Sequence, residues 1–210
     1  NNLEVSYYEK DPIIYTIFTS GSTGEPKGVQ ITKSSILDFK QWLGSDFNFS
    51  KKNVFMNQAP FSFDLSVYEV MGFLLFGGSI ILHHRKLIEN STKYLKNISK
   101  YNCNTWVSTP SFIKKYLLSD DFNRDEIPSL SQFIFCGETL PPETAKKVLG
   151  SYPNSVVLNS YGPTEATVAV TLIAITKEII NKYYKNLPVG YVKKSSKINL
   201  LNMNKHGVGE

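Results

Sequence analysis

The sequence predicts an α/β protein in which a mostly parallel sheet is covered by helices on both faces. Short apolar runs, rich in β-branched and aromatic residues, alternate with amphipathic runs of helical length, which is typical of βαβ units. Of the 210 residues, 41% are hydrophobic and 20% are charged. This composition suits a folded protein with one sizeable core or two small ones.

The first predicted elements surround a glycine-rich loop. The apolar run IIYTIF at 13–18 predicts a strand before the loop, and the short β-rich run VQI at 29–31 follows it. A helix is predicted over 32–44, where apolar residues recur at helical spacing. Thr32 can cap the start of this helix, and Gly44 can end it.

Helices and strands alternate through the rest of the chain. An apolar helix is predicted from about residue 65 to residue 76, and a polar helix around 89–101. Short helices are predicted at 111–118 and 141–152, the second opened by prolines. The predicted strands are NVFMNQ at 53–58, SIILHH at 79–84, CNTWVST at 103–109, LSQFIFC at 130–136, SVVLNSY at 155–161 and VAVTLIAI at 168–175.

Composition argues against several classes of protein. The net charge of +5 invites a nucleic-acid partner, but the 23 basic residues are scattered among 18 acidic ones, so we expect none. Cys103 and Cys136 are widely separated, which gives no disulfide scaffold or zinc motif and favours a reducing, cytoplasmic setting. The longest apolar stretch, 71–82, is too short to span a bilayer, so we expect no membrane insertion.

The ends of the chain favour a part of a longer protein. The sequence begins without a methionine, shows no signal peptide, and stops at HGVGE without a closing element. We therefore expect it to be a piece cut from something longer.

Unusual polar residues follow four of the predicted strands. They are the glycine loop after YTIF, Asp64 after FSF, the stretch 136–138 after FIF, and YGPTEAT after VVLNS. In open α/β sheets, ligands bind beyond the carboxyl ends of the strands. We therefore expect these four segments to meet at one ligand site.

The loop Phe18–Gly28 has the composition of a polyphosphate-binding loop. Its glycines let backbone N–H groups approach phosphate oxygens, its hydroxyls add neutral donors, and Lys27 adds positive charge. It is not a Walker A loop, because Glu25 and Pro26 separate Gly24 from Lys27. From the residues alone, a mobile surface turn remains the alternative.

Three stretches together resemble the motifs of the adenylate-forming enzyme superfamily, which contains acyl-CoA synthetases, luciferases and amino-acid adenylation domains. YTIFTSGSTGEPKGV resembles its phosphate loop, FSFDLSVYEVMGFLLFGGSIIL its amino-acid motif, and NSYGPTEAT its adenine and magnesium motif. Their order and spacing agree across essentially the whole chain. Within the superfamily, NQAPFSFDLSV, VSTPSF and LPVG are most similar to the ligases that load D-alanine onto a carrier protein.

The resemblance implies the substrates and cofactors. ATP and Mg²⁺ would activate an amino acid, most simply D-alanine, as an aminoacyl-adenylate. An acyl carrier protein bearing phosphopantetheine would then receive the amino acid through its thiol, for the D-alanylation of teichoic acids. The superfamily's aspartate at position 64 is absent from relatives that activate fatty or aryl acids, so it points to an amino-acid substrate.

The resemblance also assigns roles to individual positions. Lys27, Thr164 and Glu165 would be catalytic, with Glu165 binding Mg²⁺ and Tyr161 stacking on adenine. From the residues alone, a carboxylate facing water and an aromatic packed in the core remain alternatives for the last two. The positions that match ATP-binding residues are Thr19, Ser20, Gly21, Ser22, Thr23, Gly24, Lys27, Gly137, Glu138, Asn159, Ser160, Tyr161, Gly162, Pro163 and Thr164.

Three positions match residues that contact the amino acid. From the residues alone, the place of Asp64 before a helix favours an N-cap, whereas the resemblance implies that it pairs with the α-ammonium group. Cys136 and Val168 would restrict the pocket to a small side chain. A small buried residue is the alternative for the cysteine. We interpret His83, His84 and His206 as surface residues.

The resemblance divides the chain into three parts. Residues 1–48 would end one α/β lobe with the phosphate loop, 49–176 would form a second lobe with the other motifs, and 177–210 would begin a β-rich subdomain. The superfamily's C-terminal domain, with its catalytic lysine, would be absent, so we expect these 210 residues alone to be inactive. An adenylation domain of a nonribosomal peptide synthetase and a non-catalytic nucleotide-binding fragment remain the alternative functions.

Overall fold

The structure is a computed structural model that describes residues 10–20 and 25–199. Gly21, Ser22, Thr23 and Gly24 of the predicted phosphate loop lie outside the described residues, as does His206. Within the described ranges, no helix combines the length and the apolar character needed to cross a membrane.

The predicted phosphate loop connects the two strands of a hairpin. Strands β1 (Ile13–Thr19) and β2 (Lys27–Thr32) pair antiparallel as a separate two-stranded sheet, with Thr19 opposite Lys27. Our expectation that this loop ends a strand of the parallel sheet is therefore wrong. The physical reason is the short connection, because parallel neighbours need a crossover of a dozen or more residues.

The main sheet has seven strands in the order β4-β3-β5-β6-β7-β8-β9. Neighbours from β4 to β7 are parallel, and the last two pairs are antiparallel. The predicted α/β fold with a mostly parallel sheet is confirmed. The strands are β3 (Val54–Met56), β4 (Ser79–Ile81), β5 (Thr105–Ser108), β6 (Gln132–Phe135), β7 (Val156–Tyr161), β8 (Thr171–Ala174) and β9 (Tyr191–Val192).

Seven helices flank this sheet in the described residues, and the chain also forms two 3-10 turns, at Tyr116–Leu118 and Thr164–Ala166. The predicted polar helix at 89–101 is confirmed over Ser91–Lys100, and the side chain of Asn90 caps its start by accepting a hydrogen bond from the backbone N–H of Lys93 (3.0 Å). A separate short helix, Arg85–Glu89, precedes it and was not predicted. The helices are α1 (Lys33–Ser45), α2 (Ser66–Phe76), α3 (Arg85–Glu89), α4 (Ser91–Lys100), α5 (Pro110–Lys114), α6 (Pro142–Ser151) and α7 (Lys177–Lys182).

The sheet separates two apolar cores, as alternation along its strands requires. In β6, Phe133 lies in the core that contains Trp106, while the next residue, Ile134, lies in the core that contains Phe39 and Tyr68. Helices therefore cover both faces of the parallel part of the sheet. The division at 1–48, 49–176 and 177–210 stays a prediction.

One of the predicted surface histidines is buried. His83 is 8% exposed, and its Nδ1 lies 3.0 Å from the carbonyl oxygen of Asn57. Its ring meets that of Tyr94 edge to face, with 4.8 Å between the centroids. The expectation for His83 is therefore wrong, because its ring packs against Tyr94 of α4 and its Nδ1 is within hydrogen-bond distance of the sheet. His84 is exposed, and its Nδ1 accepts the backbone N–H of Leu87 (3.2 Å) at the start of α3.

Candidate active site

The carboxyl ends of β6 and β7 form one wall of a cavity of about 330 Å³, which is within the size range of small-molecule sites. Gly137 turns the chain after β6 with φ +87°, a conformation that favours glycine. The cavity is lined by Gly137, Glu138, Thr139, Leu140, Asn159, Ser160, Tyr161, Gly162, Leu187 and Val189. Six of these residues are among the predicted ATP-binding positions.

Hydrogen bonds fix the polar side chains of this cavity. The Asn159 side-chain amide donates to the carbonyl oxygen of Pro188 (2.8 Å), and Glu138 accepts the backbone N–H of Ser111 (3.0 Å). Tyr161 is 56% exposed at the end of β7. Its ring is therefore not a core residue, and a planar group in the cavity has an aromatic face to contact.

Apolar residues that the sequence did not indicate also line the cavity. Leu140, Leu187 and Val189 line it beside the polar strand ends. The stretch LPVG, which contains two of them, was noted for its resemblance without a role. Asn159 connects this stretch to β7 through its bond to Pro188.

Asp64 faces the turn after β7. The hydroxyl of Thr164 donates a hydrogen bond to Asp64 Oδ2 at 2.7 Å. Leu65 occupies the N-cap position of α2 and no side chain caps this helix, so the expected capping role of Asp64 is wrong. The helix instead follows a turn in which Ser66 donates both its backbone N–H and its hydroxyl to the carbonyl oxygen of Phe63.

A buried polar cluster lies below Asp64. The Tyr68 hydroxyl is 2.8 Å from Ser160 Oγ, and Ser160 Oγ donates to the carbonyl oxygen of Phe135 at 3.3 Å. The Cys136 thiol lies 3.9 Å from the carbonyl oxygen of Val168. Burial raises the pKa of both the Tyr68 hydroxyl and the Cys136 thiol, so both groups are neutral at pH 7.

Tyr15 and Tyr68 are two further residues near Asp64 that the sequence did not indicate. Tyr15 lies on β1, and burial together with the nearby charge of Asp64 raises its pKa. A single aromatic residue at a strand or helix position looks like core packing in a sequence, so no local signal distinguished these two.

The turn that carries Thr164 and Glu165 is strained. Thr167 and Val168 have φ of +60° and +72°, and the backbone N–H of Ala169 donates to the carbonyl oxygen of Thr167 (2.9 Å). This is a γ-turn in its rare, strained form, with a β-branched residue at the centre. Strain of this kind persists where the surroundings fix it, and it is common at functional sites.

The β1–β2 hairpin lies beside this turn. Strand β2 contacts the Thr164–Ala166 turn, and both Lys27 and Glu165 are exposed. Thr19 is half-buried opposite Lys27, and Ser20 is exposed. The structure thus brings Asp64 directly to the 164–168 turn and the hairpin beside it. The cavity between β6 and β7 is a neighbouring space, since its lining does not include Lys27, Asp64 or Glu165.

A mostly parallel sheet with polar residues at its strand ends is typical of α/β domains that bind ligands at that edge. The model of the AMP-binding enzyme family matches residues 2–210. The chain belongs to the AMP-binding enzyme family, as its motifs predicted.

Curated relatives of the chain carry a common name. It is 44% identical over 193 residues to the D-alanine–D-alanyl carrier protein ligase of Listeria monocytogenes serotype 4b, covering 92% of this chain and 38% of that protein. It is 45% identical over 188 residues to the ligase of the same name from Bacillus cytotoxicus, covering 90% and 37%. The chain thus spans less than half the length of these relatives.

Solved structures show the same fold. The adenylation domain AlmE of Vibrio cholerae, crystallised with glycyl-adenosine-5'-phosphate, matches with a TM-score of 0.72 at 24% identity, over 86% of this chain and 33% of that chain. IdnL7 matches with a TM-score of 0.79 at 24% identity, over 90% and 38%. A four-domain nonribosomal peptide synthetase bound to AMP and glycine matches with a TM-score of 0.72 at 26% identity, over 86% and 12%.

Proposed function

We propose that the chain forms the nucleotide- and amino-acid-binding part of a ligase that activates D-alanine with ATP and transfers it to a carrier protein. The observation that carries this proposal is the hydrogen bond between Thr164 and Asp64. It puts a carboxylate suited to an ammonium group next to the turn that holds the candidate magnesium ligand. The names of the curated relatives support D-alanine as the substrate.

The reaction must bring two anions together. The carboxylate of the amino acid attacks the α-phosphorus of ATP, and the bond to pyrophosphate breaks. At about 4 Å, two unit charges repel by about 4 kcal/mol at an effective dielectric constant of about 20. Lys27, with the hydroxyls of Thr19 and Ser20, lies on the hairpin that contacts the 164–166 turn. These groups offset the repulsion by binding the leaving phosphates.

The residues present fit a magnesium ion that is shared with ATP. In the part of the chain that the structure describes, no group of three or more His, Cys, Asp or Glu side chains could hold a metal by itself. Mg²⁺ is commonly bound by one or two carboxylates together with substrate phosphates. Glu165, exposed on its turn, would supply that carboxylate. The ion would neutralise phosphate charge and so favour attack at the α-phosphorus.

The cavity between β6 and β7 is the proposed adenine site. Tyr161 presents an exposed ring there, and Gly162 and Pro163 lead from it to Thr164. Asn159, Ser160, Gly137 and Glu138 supply polar edges that suit a purine base. An adenine in this cavity places the phosphates near the 164–166 turn.

The amino acid would occupy the space between Asp64 and the buried thiol of Cys136. The carboxylate of Asp64 pairs with the α-ammonium group, and Cys136 with Val168 limits the side chain to a methyl group. The charge of Asp64 raises the pKa of the Cys136 thiol further, which indicates that the two groups are close. A binding space limited in this way would favour alanine over large residues.

The second half of the reaction transfers the amino acid to a thiol. The phosphopantetheine sulfur of a carrier protein attacks the carbonyl carbon of the adenylate, and AMP leaves with the bonding electron pair. We place this reaction in the cytoplasm, where ATP is available and unpaired cysteines remain reduced, and in the D-alanylation of teichoic acids.

An amino-acid panel in ATP–pyrophosphate exchange tests the proposal on the full natural protein that contains these residues. We expect D-alanine to give the highest rate. A large or aromatic L-amino acid at the top of the panel would instead favour an adenylation domain of a peptide synthetase. Exchange with none of the amino acids would support a non-catalytic nucleotide-binding protein.

A further inference from the structure

A buried carboxyl group lies at the base of the segment that carries Asp64. Glu69 in α2 is 0% exposed, and Asn57 at the carboxyl end of β3 is 7% exposed. These two residues flank the connection 58–65, and the Asn57 side-chain amide donates a hydrogen bond to Glu69 Oε2 at 2.7 Å. We call this pair the Asn57–Glu69 clasp.

The clasp connects helix α2 to the sheet. The backbone N–H of Asn57 donates to the carbonyl oxygen of Ile81 (3.0 Å), and its own carbonyl oxygen lies 3.0 Å from His83 Nδ1. Its side-chain amide also reaches the carbonyl oxygen of Ala59 (3.3 Å), inside the connection. Asn57 is therefore fixed on the sheet, and through one amide it holds both the helix and the first turn of the connection.

The neighbouring residue of α2 makes a second connection. Tyr68 bonds to Ser160 on β7, while Glu69 bonds to Asn57 after β3. Two successive side chains thus bind different strands of the sheet, which fixes the rotation of the helix about its axis. Since Asp64 lies just before this helix, the orientation of the Asp64 side chain depends on both contacts.

An acid is a costly residue at this position. Glu69 Oε1 is buried and has no hydrogen-bond partner among the described residues, and no ion pair of those residues involves Glu69. Burial raises the pKa of this carboxyl well above its usual range, so the neutral acid is favoured. An apolar side chain would avoid the cost of the unpaired oxygen, so stability alone does not explain the acid.

We propose that Glu69 is a positioning residue, which acts through Asn57 to hold the 58–65 connection so that Asp64 faces Thr164 and the ammonium group of the substrate. The substrate part of this proposal rests on the proposed function above. The geometric part concerns only the connection and can be measured without turnover.

Two substitutions of Glu69 separate positioning from packing. Glu69→Gln keeps an oxygen that accepts the Asn57 amide, whereas Glu69→Leu keeps the approximate volume and removes the acceptor. In the full natural protein we expect Glu69→Leu to raise the KM for D-alanine about tenfold or more and to change the KM for ATP by less than about twofold. Glu69→Gln should restore the KM for D-alanine to within about threefold of the wild-type value.

Hydrogen exchange gives a readout that does not depend on activity. The backbone N–H groups of Phe63, Ser66 and Val67 donate to carbonyl oxygens within the connection. We expect them to exchange about tenfold faster in Glu69→Leu than in Glu69→Gln, with the amides of β6 unchanged. If Glu69→Leu does not fold, Asn57→Ala removes the donor of the same hydrogen bond and serves in its place.

The outcomes distinguish the two proposals. Equal exchange of the connection in the Leu and Gln variants would overturn the positioning role, as would a joint rise of both KM values. A wild-type protein that catalyses no ATP–pyrophosphate exchange with any amino acid would contradict the proposed function. The hydrogen-exchange comparison of the Leu and Gln variants would then test the Asn57–Glu69 clasp by itself.

Discussion

The hydroxyl of Thr164 donates a hydrogen bond of 2.7 Å to the carboxylate of Asp64, a residue 100 positions away in the chain. The bond joins the connection before α2 to the turn after β7. In the proposed reaction it therefore links the group that binds the amino acid to the turn that binds the phosphates and magnesium.

Removal of the Asp64 charge is expected to weaken binding of the amino acid and to leave binding of ATP unchanged. Asp64→Asn keeps the size of the side chain but cannot neutralise an ammonium group. A charged hydrogen bond contributes about 1.5–3 kcal/mol, so the KM for D-alanine should rise by roughly tenfold to 150-fold. The Kd for ATP in the absence of the amino acid, measured by calorimetry, should change by less than about threefold. Asp46→Asn, at the exposed end of α1, is the matched control and should leave both values unchanged.

The buried acid predicts a pH-dependent stability difference between the wild type and Glu69→Gln. Because the folded-state pKa of Glu69 is raised above 4.5, its stabilising contribution is complete below about pH 4.5 and is lost as the pH rises through the folded pKa. Urea unfolding of both proteins at pH 4.5 and pH 8 measures this effect. Between pH 4.5 and pH 8, the free energy of unfolding of the Gln variant should rise relative to that of the wild type. The rise should be at most about 1.4 kcal/mol for each pH unit between the unfolded-state and folded-state pKa values of Glu69.

Groups near Glu69 do not reverse this expectation. Burial raises the pKa of Cys103 to about 12 and that of Tyr94 above its usual value, so both stay neutral to pH 8. The pKa of His83 is lowered by burial, and this titration is present in both proteins and cancels in their difference. An unchanged difference between pH 4.5 and pH 8 would contradict a buried neutral acid.

Both cysteines are expected to resist alkylation in the folded protein. Cys103 and Cys136 are buried, and the raised pKa of each thiol keeps the reactive thiolate scarce. Iodoacetamide at pH 7.5, with peptide mass spectrometry, should label neither residue without denaturant and both in guanidinium chloride. Rapid labelling of Cys136 in the folded protein would contradict a buried thiol beside the proposed amino-acid site.

Two glycine-to-alanine substitutions should have opposite effects. A Cβ at Gly162 would lie 2.4 Å from the Cα of Ala169, so Gly162→Ala must displace the strained turn. This substitution should therefore abolish ATP–pyrophosphate exchange by the full natural protein. A Cβ at Gly150 meets nothing within 4 Å, and Gly150 lies in α6. Gly150→Ala should therefore raise the unfolding free energy by about 0.5–1 kcal/mol, with activity retained. Full activity in Gly162→Ala would show that the turn does not depend on this close contact.

The order of elements could be predicted from the sequence because it depends on local patterns. Short apolar runs rich in β-branched and aromatic residues located the strands that became β5, β6 and β7, and the glycine and YGPTE stretches located the family motifs. The prolines at 141 and 142 correctly opened α6. Even the antiparallel hairpin was accessible, since its connection is too short for a parallel crossover.

The sequence by itself determined the alternation of strands and helices, the family, and which residue types follow the strands, because hydrophobic periodicity and turn chemistry act over a few neighbouring residues. Only the tertiary structure decided that Asp64 bonds to Thr164 and does not cap α2, that His83 is buried, and that Glu69 is enclosed with Asn57. These contacts join residues on separate elements, so each depends on how the sheet orders its strands and on the side chains that the other elements place nearby.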